Sequence, residues 1–576
     1  MPTCSPPPAA GGGGGERGRP PARPAEPVSA RPAAPAGPPG AGGLDGLDAE
    51  QAAAVAVTEG PLLIVAGPGT GKTRTLTHRV ARLVTEHGVA PEHCLALTFT
   101  RRAAEEMGER LAALLPGRVA RPTIATFHSL GLSILREQHE RVGLSAEFGI
   151  ADEARQAELL AAEGADGYRA ALRRADLVDF DDLIALPLEL LETDEELTAA
   201  YRDRHRWISV DEYQDVDERQ YRLLRRLAPP DGNLTAIGDP DQAIYGFRGA
   251  DVGFFLRFRE DFPTARTVSL TRNYRSSARV LAAAAQVIAP ATLVPGRELL
   301  PLGDHGDAPV TLHAAASEAA EATFVARTVE ELLGGASFHA RDSGWAETAG
   351  SEGLGFSDFA VLYRTDRQAG AVAEALARVG LPFRKRSHDR LADRPGVARA
   401  VAALDGGDLP LAGQLAEVAR RAKDDAEVLA AVELLLPLAE RCGGDQARFR
   451  DELALGVEAD SWDPRADRIS LLTLHAAKGL EFPVVFVVGC ENGLLPLRMP
   501  GAEPDPEGDA EERRLLFVGV TRAQRHLYLS YAAERLRHGR VRPAGRSPFL
   551  DGLTDVARVA TTVPRRRTGG TQLKLM

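Results

Sequence analysis

The chain holds 576 residues, 44% hydrophobic and 26% charged, which supports several packed domains and excludes disorder of the whole chain. The formal charge of −12, from 69 basic and 81 acidic residues, excludes a polybasic coat protein but leaves room for nucleic-acid contact through a local basic groove. Cys4, Cys94, Cys442 and Cys490 lie far apart with no CxxC, which speaks against a zinc or disulfide framework and for a reducing, cytoplasmic setting. No N-terminal apolar segment resembles a signal peptide. The longest uncharged stretch, Val280 to Gly296, is broken by Gln286, Pro290 and Pro295, so no membrane span is expected.

Residues 1–43 hold 12 Pro, 10 Gly and 9 Ala, with no Leu, Ile or aromatic residue. Such a segment buries too little apolar surface to offset chain entropy and is expected to be a disordered tail. From Leu44 short apolar runs recur between Gly, Pro or Asp: Leu62–Ala66, Cys94–Phe99, Thr123–Phe127, Trp207–Val210, Leu234–Ile237 and Thr267–Leu270. Helical patterns such as Arg74–Val84 and Ala103–Leu115 lie between them. Continuous apolar strands alternating with helices predict a parallel sheet covered on both faces. A second set follows at Val310–Ala314, Phe359–Tyr363, Ile469–Leu474, Val484–Val488 and Leu527–Tyr531.

The expected class is therefore α/β, with two parallel-sheet domains. The first spans 44–130 plus 207–280 and the second 281–390 plus 465–560. Mostly helical inserts occupy 131–206 and 391–464. Residues 340–355 are expected to be an exposed loop and 561–576 a flexible tail.

Only five of the basic residues are lysine (Lys72, Lys385, Lys423, Lys478 and Lys574), and the other 64 are arginine. Where arginine is the default, each lysine stands out.

Lys72 ends a phosphate-binding pattern. The strand Leu62–Ala66 runs into Gly67-Pro68-Gly69-Thr70-Gly71-Lys72-Thr73, followed by a helix beginning near Arg74. The glycines let backbone N–H groups turn toward phosphate oxygens, and the helix N-terminus adds partial positive charge. Lys72 can reach the β- and γ-phosphates, and Thr73 offers a hydroxyl to Mg²⁺. Ala66 stands where the strict pattern has Gly. WISVDEYQD at 207–215 supplies the acids: Asp211 to hold Mg²⁺ and Glu212 to take a proton from an attacking water.

Together with further motifs in order, the chain over roughly 44–550 resembles a superfamily 1 DNA helicase of the UvrD/Rep/PcrA type. The carriers are LDAEQ at 47–51, AGPGTGKT at 66–73, ALTFTRRAAEEM at 96–107, ATFHSL at 125–130 and VDEYQD at 210–215. They continue with IGDPDQAIYGFRGA at 237–250, LTRNYRSS at 270–277, TLHAAKGLEFPVVFVVG at 473–489 and EERRLLFVGVTRA at 511–523. The resemblance implies RecA-like P-loop NTPase domains, ATP and Mg²⁺ as cofactors, and single-stranded and tailed duplex DNA as partners. It also implies 3′→5′ movement in DNA repair or replication, at the nucleoid.

By the same resemblance Gln51 reads adenine, Tyr274 stacks on the base, and Glu481 binds the ribose or an adjacent ATP oxygen. Gln242 senses the γ-phosphate, and Arg275 and Arg522 act as arginine fingers that clamp it when the cleft closes. Phe99, Phe127, Tyr245 and Phe247 fall in the strand-contact motifs, where aromatic faces stack on bases with little sequence preference. Arg101, Arg102, His128, Arg248 and His475 are candidates for phosphate contact or for relaying motion between sites.

The chain departs from the family pattern at several positions. Phe247 stands where Trp is usual, Arg101–Arg102 where Asn-Lys is common, Phe517 where Tyr is common, and Asp217 where Asn is common. Larger members carry bigger helical inserts, whereas here 81 positions separate Leu130 from Asp211 and 192 separate Ser277 from Ile469. The reduced second insert leaves open a translocase that displaces proteins with little unwinding. A helicase–nuclease is disfavoured by the short remainder after the last motif, and a non-catalytic scaffold by intact Lys72, Asp211, Glu212 and Arg522. The C-terminal QLKLM resembles a sliding-clamp docking peptide, with Gln572 as polar anchor and Leu573, Leu575 and Met576 as apolar contacts.

Overall fold

The computed structural model describes residues 46–561 apart from 118–119, 304, 335–352, 387–389, 405–408, 457–466, 499–502, 504, 538–539 and 554–556. The expected N-terminal tail, most of the 340–355 loop and the segment 562–576 lie outside the described residues.

Six strands form the first sheet: β1 Leu62–Ala66, β2 Cys94–Thr98, β3 Thr123–Thr126, β4 Trp207–Val210, β5 Asn233–Gly238 and β6 Arg266–Leu270. All neighbours are parallel, in the order β3-β2-β4-β5-β1-β6. The period-2 alternation of side chains sends Leu63, Leu95, Leu97, Ile208 and Leu234 into one core, and Leu62, Ile64, Ala96 and Ile237 into another. The strands β1, β2, β4 and β5 are buried on both sides because helices cover both faces, whereas the edge strand β6 is largely exposed.

Seven strands build the second sheet: β7 Val310–Ala315, β8 Phe359–Tyr363, β9 Phe383–Arg386, β10 Ile469–Thr473, β11 Phe482–Val487, β12 Ala523–Ala532 and β13 Ala557–Thr561. They too are parallel, in the order β9-β10-β8-β11-β12-β7-β13. Its two faces likewise carry separate cores, one around Leu362, Val485 and Leu529, the other around Val361, Phe486 and Val488. The outer strand β9 escapes the hydrophobic pattern: FRKR is mostly charged, as an edge strand with one solvated side allows.

Helices interrupt both sheets. After Phe127–Glu137 come Glu153–Arg174, Asp182–Thr193 and Glu195–Arg204. Gly131 lets the first of these lie backbone-to-backbone on Asp182–Thr193, since a Cβ there would stand 1.8 Å from the Leu183 carbonyl oxygen. Within the second sheet's sequence, Pro395–Ala402, Leu411–Arg421, Ala426–Cys442 and Gln446–Leu455 pack around Leu415, Leu435 and Phe449. The last of these rests on the first lobe. Glu452 pairs with Arg101, Asp451 with Arg136 at 2.9 Å, and Leu455 packs beside the core of Leu135 and Phe148. No described helix is long and apolar enough to cross a membrane; the uncharged stretch Val280 to Gly296 begins inside the helix Ala278–Ile288.

Candidate functional site

The C-terminal ends of β1, β4 and β5 open into a cleft of about 1170 Å³ between the two lobes. From the first lobe Gly69, Gly71, Lys72, Thr73, Asp211, Glu212 and Gln242 line it, and from the second Lys478, Glu481 and Arg522.

The phosphate loop owes its shape to its glycines. Gly69 and Gly71 have φ of 66° and 82°, a region that side chains disfavour. Gly71 then serves as N-cap of the helix Lys72–Thr85. A Cβ at Gly69 would also meet Arg275 and Asn273 at 2.6 Å. Asn273 Nδ2 donates to the Pro68 carbonyl at 2.6 Å and Tyr274 N–H to the Gly69 carbonyl at 2.9 Å, so the segment after β6 braces the loop. Thr70 is buried, and its hydroxyl donates to the Gly67 carbonyl at 2.8 Å. Ala66 is a fully buried strand residue. Gln51 is buried as well: its Nε2 donates to the Thr70 carbonyl at 2.9 Å while its Oε1 accepts from Asp48 N–H at 3.2 Å.

Asp211 and Glu212 follow β4. Glu212 has φ of 50°, a strained conformation for a residue with a side chain and a common mark of functional sites. Its Oε1 lies 3.6 Å from Lys72 Nζ. Asp211 Oδ2 lies 3.5 Å from the Thr73 hydroxyl. Burial and the neighbouring Glu212 charge push the Asp211 carboxyl above its ordinary range. Burial acts the same way on Glu212, but Lys72, Lys478 and Arg522 outweigh it and hold that carboxyl low. A buried carboxylate raised in this way beside a hydroxyl is a donor set that a hard divalent cation would relieve, with waters and phosphate oxygens filling its other positions. Thr73 and Asp211 therefore fit Mg²⁺.

The second lobe enters through Arg522, Lys478 and Glu481. Arg522 is 2% exposed; Nε donates to the Val518 carbonyl at 2.9 Å, Nη1 to the Leu480 carbonyl at 3.0 Å, and Nη2 faces Gln242 Oε1 at 3.4 Å. Burial and the Arg275 charge lower its pKa to about 9, which leaves it cationic at neutral pH. Arg275 and Glu481, expected on different parts of the nucleotide, pair with each other at 2.5 Å. Tyr274 is half-exposed, and its hydroxyl donates to Asp48 at 2.6 Å. Arg74 donates to the Gly46 carbonyl at 2.8 Å.

Lys478 has no assigned role in the motif pattern, although its rarity in an arginine-rich chain marks it. Its Nζ pairs with Asp215, donates to the Gln242 carbonyl at 2.7 Å and lies 5.1 Å from the Tyr245 ring centre. Burial lifts the Asp215 carboxyl to about 7, with Lys478 pulling it down. Asp239, which accepts from Gln242, falls within the motif at 237–250, whereas Arg297, which pairs with Asp239, carries no sequence signal.

The strand-contact candidates divide. Phe247 is 66% exposed and packs edge-on against His475 at 5.3 Å, with Tyr245 6.2 Å away and the Arg248 guanidinium 5.6 Å from the Phe247 ring. Phe99 is half-buried at the cleft. Three expectations are corrected. Phe127 is 1% exposed and belongs to the first-lobe core, where Phe99 packs on it at 5.4 Å, so it offers no face to a base. His128 stacks on Phe180 at 3.9 Å, and burial lowers its pKa to about 4, which leaves a neutral ring with no charge for phosphate. Arg101 is paired to Glu452 of the second helical segment.

Two family models match the chain. The UvrD/REP helicase N-terminal domain matches residues 47–166 and 154–263, and the UvrD-like helicase C-terminal domain matches 268–406 and 446–534. Residues 407–445, in the second helical segment, fall between matched stretches. Curated relatives include the ATP-dependent DNA helicase PcrA of Leuconostoc citreum, 32% identical over 87% of this chain and 84% of the relative. The ATP-dependent DNA helicase PcrA of Bacillus subtilis is 31% identical over 88% and 85%, and that of Staphylococcus aureus 29% over 87% and 85%.

Proposed function

This chain belongs to the UvrD/REP helicase family, and from that premise we propose how its own residues drive an ATP-dependent DNA helicase. The observation that carries the reading is the cross-lobe constellation: Lys72, Glu212 and Gln242 of one lobe face Arg522 and Lys478 of the other across a cleft of nucleotide size.

ATP enters with its phosphates on the N–H groups of the glycine loop. Lys72 leaves Glu212 for the phosphates, and Glu212 is freed to accept a proton from the attacking water. Bound Mg²⁺, held by Thr73 and Asp211, supplies neutralising charge at the phosphates. Arg275 and Arg522 turn onto the transferring phosphoryl group, an interaction that strengthens only as the lobes close. Tyr274 and Gln51 meet the base, and Glu481, released by Arg275, the ribose. Tyr245, Phe247, Arg248 and His475, with Phe99 at the cleft edge, grip a single strand by stacking and charge. Closure and reopening then move the chain 3′→5′, in the cytoplasm on nucleoid DNA.

A second reading, a translocase that strips proteins and unwinds little, is favoured by one observation: the second helical segment is short and its last helix occupies Arg101.

The test is ATPase with and without single-stranded DNA, then unwinding of duplexes carrying a 3′ or a 5′ tail. DNA-stimulated turnover abolished by Lys72→Ala and by Glu212→Gln is expected, with unwinding from the 3′ tail alone. Strong ATPase in either variant would overturn the site; robust unwinding from a 5′ tail would overturn the polarity. Translocation without unwinding selects the second reading.

A further inference from the structure

Gln242 has an amide, and an amide can point either way. Its Nε2 donates to Asp239 Oδ2 at 2.7 Å, and its Oε1 is left facing Arg522 Nη2. A carboxylate only accepts, so Asp239 dictates which end of the amide looks across the cleft. Asp239 is itself fully buried, two residues from the equally buried Asp241. Two ionised carboxylates so placed repel each other and need a shared cation.

Arg297 is that cation. Its guanidinium, 9% exposed, bridges the pair: Nη1 to Asp239 and Nη2 to Asp241 at 2.8 Å. Arg297 comes from the turn after the helix Ala278–Ile288, in the segment of chain that links the first sheet to the second. The same turn grips Asp241 through Thr292 Oγ1 at 2.8 Å and Leu293 N–H at 2.6 Å. Two residues on, Leu299 packs where a Cβ of Gly67 would stand, so one short segment touches both the phosphate loop and the carboxylates beside Gln242. The guanidinium also lies 5.7 Å from the ring centre of Phe517, on the second-lobe helix Pro506–Val520 that ends just before Arg522.

We propose that Arg297 is a positioning residue for ATP hydrolysis: through Asp239 it fixes the orientation of the Gln242 amide, and so ties the segment linking the two sheets to the γ-phosphate sensor. This rests on the ATPase reading of the cleft. A lysine at 297 keeps the charge but cannot span both carboxylates with a planar fork, so the amide loses its fixed partner while the charge balance is kept.

The experiment is a double-mutant cycle on DNA-stimulated ATPase in the full chain, with Arg297→Lys, Gln242→Ala and the pair. Arg297→Lys should lower kcat about tenfold with KM for ATP within about twofold. The pair should be no slower than Gln242→Ala alone, because both changes disable one device. Asp239→Asn, nearly isosteric, should reproduce the loss and the same non-additivity, which keeps the test open should the lysine variant fold poorly. An unchanged kcat in Arg297→Lys, or losses that multiply with Gln242→Ala, would overturn the proposal. Wild-type protein without DNA-stimulated turnover would instead overturn the ATPase reading itself.

Discussion

Replacing Lys478 by methionine removes one buried cation from the second lobe and leaves a carboxylate of the first without its partner. Breaking a buried pair commonly costs about 3–5 kcal/mol, because a bare charge stays behind. Here Asp215 has an escape: at about 7 its carboxyl already sits near neutrality, so without Lys478 it keeps its proton. The worth of the pair over a protonated Asp215 then follows from ionisation alone, about 1.4 kcal/mol at pH 8, about 0.4 at pH 7 and about 0.1 or less at pH 6. The direction matters. Asp215 is held above its unfolded value, so its contribution to folding stability is fullest below the ordinary carboxylate range and is lost as pH rises toward about 7. Wild type alone regains part of this by ionising against Lys478, so the gap between wild type and Lys478→Met widens with pH. The assay is kcat/KM for DNA-stimulated ATPase of both proteins at pH 6, 7 and 8. The ratio should rise about tenfold from pH 6 to pH 8. A ratio that is flat, or that grows toward acid, would refute the view that an ionised Lys478–Asp215 pair holds the lobes together.

Arg522→Ala should lower kcat about a hundredfold or more while KM for ATP changes within about threefold; a loss of affinity with kcat intact would remove its finger role. Gly131→Ala forces a methyl into the Leu183 carbonyl and should cost about 2 kcal/mol or more, seen as a lower melting midpoint; an unchanged midpoint would show that the two helices part easily. Deleting residues 572–576 should abolish binding to a sliding clamp and leave ATPase intact; full-length protein that shows no clamp binding at tens of micromolar would dispose of the docking peptide.

What could be read from the chain is what its neighbours in sequence decide. A phosphate loop needs glycines, a lysine and a threonine in consecutive positions, because one turn of backbone must wrap one phosphate group, and Gly69, Gly71, Lys72 and Thr73 stand where the pattern put them. The same holds for β1, β2, β4 and β5, whose apolar runs match strands buried on both faces. Side-chain partnership was not legible. Phe99 and Phe127 carry the same chemistry in adjacent motifs, yet one borders the cleft and the other fills the core, a difference set by how Phe127–Glu137 packs on Asp182–Thr193. Arg101 meets its partner Glu452 on a helix about 350 residues later. Lys478 and Asp215 lie 263 positions apart, and Arg297 is one arginine among 64. Backbone shape follows from local sterics and hydrogen bonding, which a few consecutive residues specify; charge pairing across a cleft depends on where two folded lobes come to rest, and only the packed structure brings those groups within a few ångströms.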